Sequence, residues 1–184
     1  MKKFKLNTDK IIGLSAMLIS LLTLVIFIYQ TNLIREQSRL SVTPRLAFNY
    51  SLDTPDTFSI FSYYIVNKGL GPAIIESIEI INENDRYKLD FQDFVKNVYP
   101  KFNDYGIIIQ NMSLDSGVTI SEKETIKFFT FRFKATERES FFKYLKVKDS
   151  GELPFDIEVV YSSIYGEKWR VYANTKGHPI KLGS

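Results

Sequence analysis

The 184-residue chain has no cysteine and only one histidine. The missing thiols exclude a disulfide framework, a thiol nucleophile and a thiolate metal site. They leave the compartment open, since an oxidising one permits disulfides without requiring them. His178 stands alone close to Leu182-Gly183-Ser184, which argues against histidine catalysis and against a zinc site. An excess of one charge is missing too: 24 Lys and Arg face 21 Asp and Glu. With 45% hydrophobic and 24% charged residues, neither a disordered chain nor a collagen-like fibre is expected.

One long hydrophobic run is present. Ile11 to Tyr29 (IIGLSAMLISLLTLVIFIY) carries no charge. A bilayer core of about 30 Å takes roughly 20 apolar residues at 1.5 Å each, so this run fits one crossing. A cleaved signal peptide is the rival reading, with Met1 to Lys10 as its n-region. The apolar run exceeds the 7–15 residues of an h-region, however, and no A-x-A-like site follows it. It continues instead into Gln30-Thr31-Asn32-Leu33-Ile34-Arg35-Glu36, a helix entering water. We therefore read a basic tail over 1–10, an uncleaved transmembrane helix over 11–29 and a juxtamembrane helix over 30–43. Gly13, Ala16, Ser20 and Thr23 share one face of the span, at spacings of three, four and three. Small residues let membrane helices approach closely, and hydroxyls can bond across helices or line water. That face is the candidate for self-association around a narrow pore.

The net charge of +3 resides in the tail, where Lys2, Lys3, Lys5 and Lys10 face Asp9. The globular part is neutral, so the basic balance does not describe a nucleic-acid-seeking surface. Four basic residues before the span against Arg35, Arg39 and Arg45 after it favour a cytoplasmic N-terminus only slightly. The side of the membrane that holds the rest of the chain stays open.

From Pro44 the pattern changes to strands. Leu46, Phe48, Tyr50 and Leu52 alternate with Ala47, Asn49 and Ser51, the period of a half-buried strand. Further strands are expected at 57–67, 73–81, 106–112, 118–120, 126–134, 155–164 and 168–173, with Tyr165-Gly166-Glu167 turning the last pair. Two helices interrupt them. Asp90 can cap 91–98, whose Phe91, Phe94, Val95 and Val98 share a face. Thr136-Glu137-Arg138-Glu139 reads as a capping box for 140–147. Seven to nine short strands argue an antiparallel β-sandwich or small barrel over 44–184.

Catalytic patterns are lacking. Asp156 and Glu158, Glu76 and Glu79, and Glu122 and Glu124 read as carboxylates on solvated faces, not as acid/base pairs. Ser162-Ser163 lacks a nucleophile elbow, and neither phosphate-binding glycine motif occurs. A non-enzymatic protein without cofactor or metal is expected. Charge distribution is more telling. Residues 76–115 hold eight acids against four bases, and residues 127–148 seven bases against Glu137 and Glu139. In the basic block Phe129, Phe131 and Phe133 are assigned to the core, and Phe128, Thr130, Arg132 and Lys134 to the opposite, exposed face. The next helix adds Arg138, Lys143 and Lys146. Cations interleaved with an exposed ring suit a phosphate-bearing ligand, a nucleotide or single-stranded oligonucleotide. The alternative is a solvated face that meets the acidic block of a neighbouring copy or anionic lipid. The Trp169 hairpin, with Lys168, Arg170 and Tyr172 on one side, is expected to extend the same surface.

Three segments carry a resemblance: Ser38-Arg39-Leu40-Ser41-Val42-Thr43-Pro44-Arg45-Leu46, Asn67-Lys68-Gly69-Leu70-Gly71-Pro72-Ala73, and Tyr161-Ser162-Ser163-Ile164-Tyr165-Gly166-Glu167-Lys168-Trp169. With the preceding span, the chain resembles a group of small bacterial single-span proteins with an immunoglobulin-like β-domain. Its layout is also similar to the Hailong-type membrane effectors of antiphage defence. That likeness implies a homo-oligomeric channel in the bacterial cell membrane, gated by a nucleotide ligand on a cytoplasmic β-domain. A membrane-anchored scaffold, whose extracytoplasmic β-domain docks another envelope protein, is the alternative expectation.

Overall fold

A computed structural model describes residues 8–55, 57–88, 90–112, 114–147, 152–175 and 178–183. Lys2, Lys3, Lys5 and Lys148 lie outside the described residues, as does the rest of the tail up to Asn7. The chain separates into two units, one ending at Ser41 and the other beginning at Val42.

The first unit is helix α1, Thr8–Leu40, 33 residues without a break. Span and juxtamembrane segment are thus one helix of about 50 Å, longer than a bilayer core of about 30 Å. It is long and apolar enough to cross a membrane once. None of its residues is buried. Three of its hydroxyls turn back onto the helix: Ser15 Oγ donates to the Ile12 carbonyl at 2.9 Å, and Thr23 Oγ1 to that of Ile19 and Thr31 Oγ1 to that of Phe27, both at 2.8 Å.

The second unit is an antiparallel sandwich. Strands β1 (Leu46–Asp53), β2 (Phe58–Asn67), β7 (Thr125–Lys134) and β5 (Gly106–Asn111) form one sheet, in the order β1-β2-β7-β5. The second sheet runs β10-β9-β8-β3-β4, from Ile180–Lys181, Lys168–Tyr172, Asp156–Ser162, Ala73–Asn82 and Asp85–Tyr87, and β6 (Thr119–Ile120) pairs with β3. The first order is the A-B-E-D sheet of immunoglobulin domains, and β9-β8-β3-β4 is G-F-C with a C′ strand. Of the two expected architectures the sandwich is found. Two side chains tie the sheets together: Tyr161 Oη accepts from the Leu46 amide at 3.3 Å, and Tyr63 Oη donates to the Ala173 carbonyl at 3.1 Å. Burial first of all pushes the Tyr161 hydroxyl up to about 12, so this tie stays a neutral phenol at physiological pH.

The core is aromatic. Phe61, Phe129, Phe131 and Phe133 line the inner face of the first sheet, and Ile157, Val159 and Tyr161 that of the second. Helix α2 (Phe91–Val98) closes one side, starting at Asp90, whose carboxylate accepts from the Gln92 amide at 2.7 Å. Phe91 stacks on Phe129 at 4.1 Å, and Phe94 meets Phe155 edge-on at 5.0 Å. After the short helix α3 (Phe102–Tyr105), β5 enters the sheet. Helix α4 (Arg138–Leu145) buries Phe141 and Leu145, and Phe141 stacks on Phe133 at 4.4 Å. The expected capping box does not form. Thr136 sits in a 3-10 turn, Ala135–Glu137, and the helix starts after Glu137 without a side-chain cap.

Asn67 organises the beginning of the sandwich. It is fully buried, and all four of its side-chain valences are used. Oδ1 accepts from the amides of Arg45 and Gly69, while Nδ2 donates to the carbonyls of Gly71 and Ile120, at 2.8–3.1 Å. Glycines follow because the turn presses on Val42–Arg45. A Cβ on Gly71 would lie 1.8 Å from the Val42 carbonyl oxygen, and one on Gly69 2.4 Å from the Arg45 amide.

Candidate anion-binding site

The basic block divides into three places. The expectation of an exposed Phe128 is corrected: its ring is only 4% exposed and meets Phe91 edge-on at 5.9 Å. The reason is a β-bulge. Tyr63 pairs with Phe129 but Tyr64 with Lys127, so Phe128 is an extra residue that the inside–outside alternation does not count. Thr130 stays on the outer face, but it is buried there beside Ser62.

Arg132 and Lys134 do reach the outer face of β7. The Arg132 guanidinium lies over Phe58, 5.3 Å from its centroid, between Ile60 and Ile107 in register. Phe58 is 41% exposed and is the aromatic that the sequence pattern missed. Lys134 Nζ is 3.2 Å from the Glu137 carboxylate, so its charge is partly spent locally.

Arg138, Lys143 and Lys146 are brought together. They line an open depression of about 620 Å³ with Glu139, Phe142 and Val147. The Arg138 guanidinium stands over Phe142, 5.7 Å from its centroid. Lys146 occupies the left-handed region at φ 56°, and the Val147 amide closes the helix onto the Phe142 carbonyl at 3.0 Å. This end aims helix carbonyls at its lysines, which favours cations there. Three cations thus share the depression with one ring and one carboxylate. Charge-assisted hydrogen bonds to phosphate or carboxylate are the chemistry such a group offers. The Arg138–Phe142 spacing of four, one helical turn, is the signal that could have picked out Phe142.

The hairpin at Trp169 does not extend this surface. The turn itself forms as expected, with Gly166 at φ 76°, but the hairpin belongs to the other sheet and its cations have partners. Lys168 Nζ is 3.2 Å from Glu76, and Arg170 Nε is 3.4 Å from Glu158. Trp169 points inward and stacks on Tyr161 at 5.8 Å. The acidic residues also depart from a solvated face. Glu158 is buried on the outer side of β8, 3.1 Å from Arg86, while Glu79 is 2.7 Å from Arg86 and 3.6 Å from Lys88. Burial pushes the Glu158 carboxyl up, but the Tyr172 hydrogen bond and the charges of Arg86 and Arg170 outweigh it and hold it below the usual range. This network is structural in kind, each carboxylate being matched by cations.

On α1, Gly13, Ala16, Ser20 and Thr23 are exposed. A side chain at Gly13 would touch nothing of its own chain, so the fold does not require its smallness. No protein-family model matches the chain, and no curated protein matches it.

Proposed function

We propose that this protein is a non-enzymatic membrane effector whose β-domain binds a nucleotide or short single-stranded oligonucleotide. The observation that carries this is the convergence of Arg138, Lys143 and Lys146 on one open depression beside Phe142. Phosphates are neutralised by such cations, and a ring beside them can receive a base. The anchor supports the effector half of the reading. Helix α1 can cross a membrane once, and its Gly13/Ala16/Ser20/Thr23 face lets copies pack closely into a homo-oligomeric channel. The ligand gates the assembly by binding its open and closed states with different affinity. In this reading the sandwich is cytoplasmic, where such ligands are made, and the antiphage role follows from the likeness to Hailong-type effectors.

The test uses the full chain in lipid nanodiscs with a fluorescent trinucleotide as probe. Anisotropy should show binding that weakens with salt at a log–log slope of about −2, from three contacts to single-stranded phosphates. R138Q/K143Q/K146Q should bind about 1,000-fold more weakly, at about tenfold per charge-assisted contact. Equal binding by the triple variant rejects the site. Ion flux through liposomes, lost in S20L/T23L, tests the channel. A reporter fused after Ser184 that works only outside the cytoplasm would turn anchor and sandwich into an envelope docking module instead.

A further inference from the structure

The strand register sets four connections together at one end of the sandwich. They are the entry over 42–45, the turn 68–72 from β2 to β3, the turn 121–124 from β6 to β7 and the hairpin turn 163–167. Three of the four most exposed large hydrophobic side chains among the described residues of the sandwich stand in these turns: Leu70 at 61%, Ile164 at 54% and Tyr165 at 52%. Two cations accompany them. The Lys68 amide donates to the Arg45 carbonyl at 2.8 Å, so the two residues are neighbours. Both line a depression of about 290 Å³ with Asn49 and Thr175, and none of its described lining residues is a carboxylate. The Arg45 guanidinium donates to His178 Nδ1 and keeps other N–H groups for an anion. The carboxylates of the turns have partners of their own. Glu122 pairs with Lys123 at 2.8 Å, Glu167 with Lys181 at 2.7 Å, and Glu124 accepts from the Ser121 amide at 2.6 Å. At the opposite end the turn 82–85 carries Glu83 and Asp85, and Asp53 closes β1.

We propose that this end of the sandwich is a lipid-binding surface: Leu70, Ile164 and Tyr165 seat in the headgroup boundary of the bilayer, and Arg45 and Lys68 bind the phosphates of anionic lipids. The occupant follows from the tether. Helix α1 can cross a bilayer, and the chain that leaves it enters the sandwich at this end. From Ile34, the last residue before the first charge after the span, six helical steps and two steps of extended chain lead to Val42. They cover at most about 16 Å, part of which the headgroup layer itself fills. A bilayer is therefore the partner that every copy brings within reach of these turns. The chemistry agrees: aromatic rings settle at headgroup level, lysine stems lie along apolar surface, and cations meet anionic lipid. The carboxylates at the opposite end are what such a membrane repels. The depression at α4 follows β7 at that opposite end, where Phe58 pairs with Lys134. The lipid surface is thus independent of the ligand proposed above, and it holds on whichever side of the membrane the sandwich lies.

The absence of cysteine allows one labelled position at a time. The full chain carries a fluorophore on a single cysteine at Leu70, at Tyr165 or, as a control on the opposite end, at Asn84. It is placed in nanodiscs whose lipids are spin-labelled near the headgroup, made from phosphatidylcholine with or without phosphatidylglycerol. With phosphatidylglycerol present, the labels at 70 and 165 should be quenched and the label at 84 should not. R45Q/K68Q should lower the ratio of quenched to unquenched label, resolved by fluorescence lifetime, about 25-fold, at about fivefold per cation near an anionic surface. An unchanged melting temperature of R45Q/K68Q in detergent micelles shows that the fold persists. Omitting phosphatidylglycerol should weaken quenching of the parent chain as well. The proposal is overturned if the labels at 70 and 165 are quenched no more than the one at 84, or if quenching is indifferent to phosphatidylglycerol or to R45Q/K68Q. It is equally overturned if inorganic phosphate protects Lys68 from acylation while the labels stay unquenched, which would make the depression a site for a free anion.

Discussion

Asn67 illustrates how much one side chain can hold. Its amide group binds three backbone segments, around residues 45, 69–71 and 120. An alanine there would leave two part-buried amides and two buried carbonyls without partners, each costing about 1–3 kcal/mol if water cannot reach it. Asn67→Ala should therefore destabilise the sandwich by about 3–5 kcal/mol, read as a shifted denaturation midpoint in detergent micelles. Asn67→Asp keeps the acceptor but turns a carboxylate oxygen onto the Gly71 and Ile120 carbonyls in a buried site, and should destabilise at least as much as alanine. In the sequence this residue showed only as the first letter of a glycine turn. The reason for its position is visible in three-dimensional hydrogen bonding alone. Phe128 failed in the opposite direction: the alternation that puts it outside is sound, but one inserted residue in the strand reverses it.

Elements longer than about five residues were legible because burial imposes a period on them. Strands β1, β2, β3 and β7 lie within two residues of their expected bounds, and α2 coincides with its expectation down to the Asp90 cap. β4, β10 and α3, of two to four residues, are too short to show a period. The box at Thr136 had the right letters but lies in a 3-10 turn, so its hydroxyl is not placed to cap the helix. Helix α2 is held by its aromatic face rather than by its eight residues of backbone. Phe91 stacks on Phe129 and also meets Phe128, Phe131 and Phe155. Phe91→Ala should cost about 3–5 kcal/mol and leave α2 the first element to lose amide protection in hydrogen exchange. If protection of 91–98 persists, the helix is not held by this ring. The candidate site was partly legible in the same way: the cations of α4 were named from sequence. Their separation from Arg132 and Lys134 depends on where the strand stops and the turn begins.

For the molecule as a whole, acid is an informative perturbant. Glu158 is held below its ordinary range by Tyr172, Arg86 and Arg170 despite its burial. A carboxyl lowered on folding stabilises the native state fully above its unfolded value of about 4.3, and that contribution is lost as pH falls through the folded value. The melting temperature should therefore drop on going from pH 5 to pH 3. In Glu158→Gln it should start lower at pH 7 and fall by less across the same interval. Parallel curves for the two proteins would show that Glu158 is not a source of the acid sensitivity. Salt should do little to this network at its buried centre, Glu158, and more at Lys88 on its exposed rim and at the separate Lys168–Glu76 pair.

The turn held by Asn67 also has a mechanical meaning. Five residues separate the end of α1 at Leu40 from the first strand at Leu46, and Val42–Arg45 are gripped by the Gly69 and Gly71 backbone. The first strand is therefore entered through a backbone clasp: the Lys68 and Leu70 amides donate to the Arg45 and Thr43 carbonyls, so the start of β1 is pinned by the turn that leaves β2.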